Sequence, residues 1–311
     1  MGKVLVIGSI NMDIVISVEH MPVGGENVYV NDVELICGGK GANQAGATAK
    51  LGLDTVYFGC VGQDENGKRL IDTLQQSGID TSYMKVKDGG SGQCYIIVEG
   101  DGQNRILVSP GANEKMTVED IDQVILPLIP ELDMILTQLE IPLECVERIV
   151  QLGKEHGVKV FVDAGPIRGC KAEQLRGAWC ISPNETELGA LVERKVQTEE
   201  EIVKAAEELL ALDVECVLVK LGGSGCLYIS KDERIRQKSY KVNVVDTTAA
   251  GDSFSAGFAV GVLENKSTKD AIDYATKCGA IAVTKKGASP SLPTKEAVMN
   301  FEKEYLRNET L

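Results

Sequence analysis

Histidine is nearly absent from this chain of 311 residues, which contains only His20 and His156. Hydrolases of the Ser/His/Asp type and histidine-rich metal centres both need positioned imidazoles, so this scarcity argues against both classes. The nine cysteines are an odd number at irregular spacing and include no CxxC pair. They therefore predict buried, reduced thiols rather than a disulfide framework or a zinc site.

Positive charge is also scarce, because 46 acidic residues outnumber 32 lysines and arginines and give a net charge of −14. Nucleic acids and anionic membranes are bound by basic surfaces, so we expect neither as a partner. The first apolar run, MGKVLVIGSI, is too short to span a membrane and lacks a signal-peptide cleavage pattern. The composition predicts a soluble, cytoplasmic protein.

Two common nucleotide-binding signatures are missing. A dinucleotide fingerprint needs GxGxxG after the first strand, where this chain has Gly8-Ser9-Ile10-Asn11. No segment supplies the P-loop sequence GxxxxGK[ST] either. The first absence argues against a nicotinamide-dependent oxidoreductase, and the second against a P-loop enzyme.

Short apolar runs alternate with helical patterns over most of the chain. The runs lie at 4–7, 55–61, 134–139, 158–162, 179–181 and 214–221, and helical patterns at 66–76 and 198–212. Strands that are apolar throughout and separated by helices predict a parallel sheet with helices on both faces.

Segments 13–37 and 91–108 break this rhythm, because their apolar residues alternate as in antiparallel strands. We expect them to form a small separate sheet that acts as a lid, while 1–12, 38–90 and 109–311 form the main domain. An exposed small sheet with one apolar face often pairs with a second copy, so a homodimer through the lid is expected.

Candidate polar residues gather where the predicted strands end. Ligands of open parallel sheets bind outside the carboxyl ends of the strands. The residues at these ends are Asn11, Asp13, Glu140, Asp163, Asn184, Glu187, Gly222, Gly223 and Gly225. Each alone is typical of a turn or a helix cap, but together they predict one site.

The segment VDTTAAGDSFSAGF predicts a strand end, a small-residue turn and a helix with Asp252 in its first turn. Backbone amides of such a turn and the partial positive charge of the helix N-terminus favour a phosphate or an oxyanion. A carboxylate there repels phosphate, so Asp252 is predicted to be a general base for an attacking hydroxyl. The alternative is that Asp252 only stabilises the first helical turn.

A second glycine-rich segment, GGKGANQA, opens an alanine-rich helix at residues 38–45. Its paired glycines allow a polar ligand to approach closely, and Lys40 and Asn43 supply donors for hydroxyl or phosphate oxygens.

These segments resemble the ribokinase family of ATP-dependent sugar and nucleoside kinases. The resemblance rests on GGKGANQA and DTTAAGDSFSAG, with SINMD before them and SPNETE between them, and extends from Val4 to about Pro293. It implies a three-layer α/β/α fold with a mostly parallel central sheet and a small β-sheet lid. It also implies phosphoryl transfer from ATP to the terminal 5-hydroxymethyl group of a pentose, with D-ribose as the preferred acceptor.

The resemblance implies roles for individual residues. Asp252 matches the catalytic base, and Ala249, Ala250 and Gly251 match the turn whose amides form the anion hole. The positions that would hold the sugar are Asn11, Asp13, Gly39, Lys40, Asn43 and Glu140, together with Asp252. The nucleotide would be bound by Asn184, Lys220, Gly222, Gly223, Gly225, Gly251 and the segment around Thr276.

Two metal ions are implied in the same way. Glu187 of the NxxE motif would serve Mg²⁺, through water, because magnesium keeps most of its waters. A K⁺ ion would be held mostly by backbone carbonyls of a loop pair. This pair contains Asp246, Thr248, Ala282, Lys285, Gly287 and Ser291.

Two positions depart from the family pattern. Asp163 stands where Asn is usual and adds a negative charge near the route of the phosphate, and Thr276 is smaller than the side chain often found beside the adenine. The acceptor stays open between D-ribose, 2-deoxyribose, another sugar and a nucleoside. A catalytically dead sugar-binding sensor is an alternative of a different class.

Overall fold

The computed structural model describes residues 2–101 and 103–305. Its strands are β1 (Lys3–Ile7), β2 (Asn11–Ser17), β3 (Asp32–Gly38), β4 (Asp54–Phe58), β5 (Cys60–Gly62), β6 (Lys85–Lys87), β7 (Gly92–Val98), β8 (Asn104–Ser109), β9 (Met134–Gln138), β10 (Lys159–Asp163), β11 (Cys180–Ser182), β12 (Cys216–Lys220), β13 (Cys226–Ser230) and β14 (Arg234–Gln237). Its helices are α1 (Lys40–Lys50), α2 (Glu65–Gln76), α3 (Val118–Leu128), α4 (Leu143–His156), α5 (Glu185–Leu191), α6 (Glu199–Leu210), α7 (Ala250–Leu263), α8 (Thr268–Ala282), α9 (Ala288–Ser291), α10 (Lys295–Met299) and α11 (Phe301–Tyr305). In this part of the chain, no helix is long and apolar enough to cross a membrane.

The central sheet has eight strands in the order β14-β13-β12-β11-β10-β9-β1-β4. Strands β4, β1, β9, β10, β11 and β12 are parallel to one another, and β13 and β14 add an antiparallel edge. Alternate residues of β1 belong to apolar cores on opposite faces of the sheet. Leu5 and Ile7 share a core with residues of α3 to α6, and Val4 and Val6 share one with residues of α1, α2, α7 and α8. The predicted mostly parallel three-layer architecture is confirmed.

The small sheet has the order β3-β2-β7-β8. The prediction that its strands are all antiparallel was wrong, because β2 and β7 pair in parallel, with Asn11 opposite Gly92. The alternating stretch before β3 also forms no strand at 25–30, and Tyr29 within it is 93% exposed. Alternation is thus not sufficient to make a strand, and the partner that fixes a strand's direction comes from a distant part of the chain.

The strand predicted at Val245, just before α7, is absent. Val244 and Val245 are exposed, and the amides of Val245 and Asp246 both donate to the carbonyl of Val283 after α8. This segment is therefore a loop that runs beside the end of α8 rather than a strand of the central sheet.

Helices α7 and α8 pack closely because α7 carries glycines on the side that faces α8. A Cβ atom on Gly257 would lie 2.7 Å from the Cys278 sulfur and 3.0 Å from the Ala275 Cα atom. A Cβ atom on Gly261 would lie 2.7 Å from the Ala271 Cα atom. This contact holds the α7 N-terminus, with Asp252, against the edge of the sheet.

Replacing Gly257 with Ala should therefore destabilise the protein, because the new methyl group meets backbone and has no room. We expect the Gly257→Ala change to lower the free energy of unfolding by about 1 to 3 kcal/mol in urea titrations followed by circular dichroism.

The matched control is Gly251→Ala in the same helix, where the nearest atom to a new Cβ is Lys220 Nζ at 4.0 Å. This change should leave the stability the same or slightly higher, since Ala is the better helix former. Equal stability of both variants would contradict the close packing of α7 on α8.

Candidate active site

The site lies where the parallel strands of the central sheet end and where α1 and α7 begin. The chain passes from β1 through Ser9 into β2, and the amide of Ala42 in α1 donates to the Ser9 carbonyl at 3.0 Å. Gly39 precedes α1 with a φ of +89°, a conformation that favours glycine. A Cβ on Gly41 would lie 2.7 Å from the carbonyl carbon of Gly8, so only glycine lets α1 start this close to β1.

The predicted sugar-binding residues form one polar group at the junction of the two sheets. Asn11 and Asp13 are buried in β2, and a Cβ on Gly38 of the neighbouring strand would collide with the Asp13 carboxylate. The Glu140 carboxylate accepts hydrogen bonds from the Ser9 hydroxyl and, at 3.3 Å, from the Lys40 amide. These contacts leave several polar atoms on one small surface, which suits a ligand with many hydroxyl groups.

Asn113 is a member of this group that the sequence did not point out. Its side-chain amide donates to the Asn11 Oδ1 atom at 2.9 Å and to the Ile10 carbonyl at 3.1 Å, and its Oδ1 atom accepts from the Ile10 amide. Asn113 lies in a short 3₁₀ turn after β8 and is fully buried, so no strand or helix pattern marks it. It holds Asn11 in place.

Burial, together with the smaller effects of the neighbouring Glu140 and Asp252 charges, raises the pKa of the Asp13 carboxyl to about 7. Neither lysine of the site is paired with Asp13, since Lys40 lies near Asp252 and Lys220 near Asp163. The Lys40 ammonium is 3.9 Å from Asp252 Oδ1, and burial disfavours its charge less than the four surrounding carboxylates favour it, so the Lys40 pKa is raised.

Asp252 occupies the third position of α7 and is 4% exposed. Its carboxylate accepts hydrogen bonds from the Asn43 side chain at 2.9 Å and from Gln44 Nε2 at 3.3 Å. Burial raises its pKa, and the nearby Lys40 charge opposes that rise. A buried, partnered carboxylate of this kind can accept a proton from a hydroxyl placed beside it.

The turn before Asp252 has the geometry of an anion site. Ala249 has a φ of 59°, in the left-handed region that residues other than glycine seldom adopt. The amide of Ala250 donates to the Thr247 carbonyl at 3.3 Å, and the amides of Gly251 and Asp252 precede the first hydrogen bond of the helix, which runs from Ser253 to Ala249. Since Gly251 has no side chain, an anion can approach these amides and the positive end of α7.

Asp163 lies at the end of β10 and is completely buried. Its carboxylate accepts hydrogen bonds from Lys220 Nζ at 2.7 Å, Ser255 Oγ at 2.9 Å and Gln44 Nε2 at 3.0 Å. Burial disfavours its charge, but Lys220 and Lys40 more than offset that effect, so the Asp163 pKa is lowered. The extra negative charge expected here is thus neutralised by the protein.

A cavity of about 470 Å³ reaches the first turn of α7, where Ala250 and Gly251 line it. Six of the seven residues predicted to bind the nucleotide line it together, namely Lys220, Gly222, Gly223, Gly225, Gly251 and Thr276, whereas Asn184 does not. Tyr240 and Phe254 also line it and supply apolar surface that the sequence did not indicate. The cavity therefore meets the anion turn at Gly251.

Asn184 and Glu187 form a capping box at the start of α5. The Asn184 amide donates to Glu187 Oε2 at 2.7 Å, and the Glu187 amide donates to Asn184 Oδ1 at 2.8 Å. Burial raises the Glu187 pKa, and Lys220 opposes the rise. In the described residues, no three His, Cys, Asp or Glu side chains are grouped to hold a metal ion, so magnesium here would depend on water and phosphate oxygens.

The residues predicted to surround a monovalent cation lie in the loop before α7 and in the segment from the end of α8 to the end of α9. Asp246 Oδ1 accepts from the Thr248 amide and hydroxyl, and Asp246 Oδ2 accepts from the Gly287 amide at 2.8 Å. Ala282 and Lys285 are joined by a backbone hydrogen bond at the end of α8, and the Ser291 hydroxyl donates to the Ala288 carbonyl. The aspartate thus ties the loop before α7 to the loop after α8.

Replacing Asp13 with Asn should change stability in a way that depends on pH. Because the Asp13 pKa is about 7 in the folded protein and its ordinary value is 3.8, the folded state binds a proton that the unfolded state releases as the pH rises. The stability that this proton gives is lost as the pH approaches 7. Thermal unfolding should therefore show Asp13→Asn more stable than the wild type by about 2 kcal/mol or more at pH 8, and the difference should shrink as the pH falls and disappear only near or below 3.8. A difference independent of pH would contradict this assignment.

A model of pfkB family carbohydrate kinases matches residues 1–295. The chain is 38% identical to ribokinase from Haemophilus influenzae, with 95% of this chain and 97% of that protein aligned. It is 34% identical to deoxyribokinase from Salmonella typhi, with 94% and 96% aligned. The solved structure of Arabidopsis thaliana ribokinase with ribose and ATP superposes with a TM-score of 0.89 at 33% identity and covers 97% of this chain and 98% of that one. This protein therefore belongs to the pfkB family of carbohydrate kinases, as the ribokinase-like motifs predicted.

Proposed function

We propose that this kinase transfers the γ-phosphoryl group of ATP to the terminal 5-hydroxymethyl group of D-ribose and releases ribose 5-phosphate and ADP. The observation that carries the proposal is the position of Asp252, a buried carboxylate that contacts Asn43 and Lys40 and directly follows Gly251, which lines the 470 Å³ cavity. The full-length similarity to a ribokinase, and to a ribokinase structure that contains ribose and ATP, supports both substrates.

The sugar is held by Asn11, Asp13, Lys40, Asn43 and Glu140, with Gly39 supplying backbone. Carboxylates accept hydrogen bonds from neighbouring hydroxyls, and the amide and ammonium groups donate to them. Because these groups are largely buried, an acceptor that lacks one hydroxyl leaves a polar atom unpaired, which gives the site its selectivity.

In the transfer step, the sugar hydroxyl attacks the γ-phosphorus while its proton passes to Asp252. The new bond joins the sugar oxygen to phosphorus, and the bond from phosphorus to the β-phosphate oxygen of ADP breaks. The amides of the Ala249–Gly251 turn and the Lys40 ammonium offset the negative charge on the phosphoryl oxygens. ATP itself is bound by the cavity that Lys220, Gly222, Gly223, Gly225 and Thr276 line, with Asn184 at its border.

Magnesium is proposed as the second cofactor. Glu187 is the carboxylate placed to reach it through water, next to Asn184 and on the side of the site where Lys220 lies. When bound, Mg²⁺ neutralises charge on the nucleotide phosphates. The capping box holds the Glu187 side chain in one orientation.

A K⁺ ion is proposed beside the anion turn, held by the loops of Asp246, Thr248, Ala282, Lys285, Gly287 and Ser291. Asp246 supports this role because it already ties the two loops and lies three residues before Ala249. Replacing K⁺ with tetramethylammonium should lower kcat, and unchanged turnover would remove the ion from the proposal.

We also propose a homodimer through the small sheet. Exposed apolar side chains on it support a partner, namely Val33, Leu35, Ile106, Leu107 and Val108. Sedimentation equilibrium at micromolar concentration tests this proposal, and a monomer there would reject it.

A cytoplasmic location is proposed as well, supported by nine cysteines that are all free thiols. Cell fractionation would test it.

The acceptor is tested by ADP release with MgATP and K⁺ on ribose, 2-deoxyribose, fructose, adenosine and inosine. We expect kcat/KM to be highest on ribose and at least about tenfold lower on 2-deoxyribose, because the missing hydroxyl leaves buried groups unpaired. The similarity to a deoxyribokinase makes 2-deoxyribose the second candidate, and a preference for it would move the assignment to that sugar. Tight ribose binding without any transfer would favour the sensor.

Replacing Asp252 with Asn should lower kcat by about a hundredfold or more, because the hydroxyl loses its base. Ribose affinity measured by calorimetry should change only a few-fold, since Asn keeps the shape and one acceptor oxygen.

The matched control is Asp270→Asn, because Asp270 occupies the same third position in α8 and is exposed. If both variants lose activity equally, or if neither does, Asp252 acts only as a favourable first-turn residue and the base assignment fails.

A further inference from the structure

We propose that Lys220 is a further catalytic residue, which binds the β- and γ-phosphate oxygens of the nucleotide, and that the buried Asp163 is the residue that positions it. The inference rests on the proposed kinase function and deepens it. It assigns a purpose to the one ion pair, among the residues the structure describes, that joins the centre of the central sheet to the nucleotide cavity.

The first observation is the position of the Lys220 ammonium. Lys220 ends β12 and lines the cavity with the glycine loop that follows it, and only 15% of its side chain is exposed. A Cβ built on Gly251 would lie 4.0 Å from Lys220 Nζ, with no nearer atom beside it. The ammonium therefore lies next to the anion turn, on the side that faces the cavity rather than the sugar.

The second observation is how firmly this ammonium is held. Asp163 Oδ1 accepts from Lys220 Nζ at 2.7 Å, while Asp163 Oδ2 accepts from Ser255 in α7 and from Gln44 in α1. Three elements thus fix the carboxylate, and the carboxylate fixes the lysine. A flexible lysine gains most as a phosphate ligand when its position is set before the ligand arrives.

The third observation concerns the cost of the pair. Asp163 has no exposed surface, and removing a carboxylate and an ammonium from water often costs more free energy than their attraction returns. A buried pair is therefore weak as a stabilising device. Its location beside a phosphate site gives a better reason for it, because a fixed positive charge there offsets negative charge without reorganising during the reaction.

The two lysines of the site then have different roles. Lys40 lies 3.9 Å from Asp252 on the sugar side, whereas Lys220 is paired with Asp163 on the nucleotide side. As the sugar oxygen binds the phosphorus and its proton passes to Asp252, the bond from phosphorus to the β-phosphate oxygen breaks. The electron pair of that bond stays on ADP, and Lys220 is placed to stabilise it.

Single substitutions do not separate a catalytic role of the pair from a structural one. Asp163→Asn, for example, replaces one acceptor oxygen with an amide group that donates. One oxygen of Asp163 receives two hydrogen bonds, so an Asn oxygen there would place its amide against Lys220. Adding Lys220→Gln repairs this contact, since the Gln oxygen can accept from the Asn amide. The double variant has the hydrogen bonds but lacks the charge.

The experiment compares Lys220→Gln, Lys220→Arg, Asp163→Asn and the double variant in three measurements. These are the melting temperature, kcat and KM with ribose and MgATP, and the affinities for AMP and for a non-hydrolysable ATP analogue by calorimetry. We expect Lys220→Gln to lower kcat by about tenfold to a hundredfold and analogue affinity by about tenfold, with AMP affinity unchanged, as befits loss of a charged phosphate ligand. Lys220→Arg, which keeps the charge, should retain more of the kcat than Lys220→Gln.

The double variant decides between a catalytic and a structural role. We expect it to recover a melting temperature near that of the wild type while kcat and analogue affinity stay low. A double variant that regains wild-type kcat and analogue affinity would overturn the proposal, because the pair would then only balance its own charges. Equal losses of AMP and analogue affinity in Lys220→Gln would overturn it as well.

The exposed pair of Lys154 and Asp213 provides the control for breaking an ion pair. The corresponding Gln and Asn changes there should leave kcat and both affinities unaltered. A wild-type protein that transfers phosphate to no sugar would reject the proposed function. The comparison of AMP with the analogue would still test the contact of Lys220 with phosphate, so the two failures are distinguishable.

Discussion

Four carboxylates lie close together at one end of the central sheet, and the need to offset their charge governs the site. They are Asp13, Glu140, Asp163 and Asp252, three of them buried. Two lysines, Lys40 and Lys220, provide the opposite charge, and side-chain amides provide most of the remaining hydrogen bonds. Buried charges persist only when they are paired and hydrogen-bonded, so the positions of these lysines and amides are as constrained as those of the carboxylates.

Charge compensation is uneven across the site. Asp163 has three donors, one of them Lys220 at 2.7 Å, so its charged form is favoured. Asp13 has no lysine at contact distance among the described residues, and its charged form is disfavoured. Asp252 lies between these extremes, with Lys40 at 3.9 Å. A general base must accept a proton and then release it within each catalytic cycle. An environment that favours the charged form of Asp252 less than that of Asp163, and more than that of Asp13, suits this role. Sugar hydroxyls can supply to Asp13 the hydrogen bonds that the protein does not.

Much of this arrangement could be predicted from the sequence, because parallel strands bring their carboxyl ends to one edge. The polar residues after each apolar run, such as Asn11 and Glu140, therefore had to be neighbours. The hairpin of β13 and β14 was not predicted, although CLYIS and RIRQ flank a polar turn at 231–233 that could have indicated it. Pairing direction, as for β2 with β7, depends on distant contacts and leaves no local pattern.

The supporting residues were harder to predict than the residues they support. Asn113 and Ser255 hold Asn11 and Asp163 through contacts that span about a hundred positions in the sequence, and a single buried polar residue has no periodic signal. The sequence shows that an aspartate stands at position 163, but it does not show whether that aspartate adds net negative charge to the site. The answer depends on its contact with Lys220, 57 positions away. Charge compensation is a property of the folded arrangement rather than of any segment.

Gln44 shows how closely the parts of the site depend on one another. Its Nε2 atom donates to Asp163 at 3.0 Å and to Asp252 at 3.3 Å, and its Oε1 atom accepts from Gln138 Nε2 at 2.7 Å. Because Gln138 ends β9, the sheet itself fixes which end of the Gln44 amide faces the carboxylates. The Gln44 amide thus links Asp252, proposed as the base, to Asp163, proposed to position Lys220. Because both carboxylates accept from the same Nε2 atom, neither can shift without losing its hydrogen bond to Gln44. This contact therefore ties the residues proposed to bind the sugar to those proposed to bind the nucleotide.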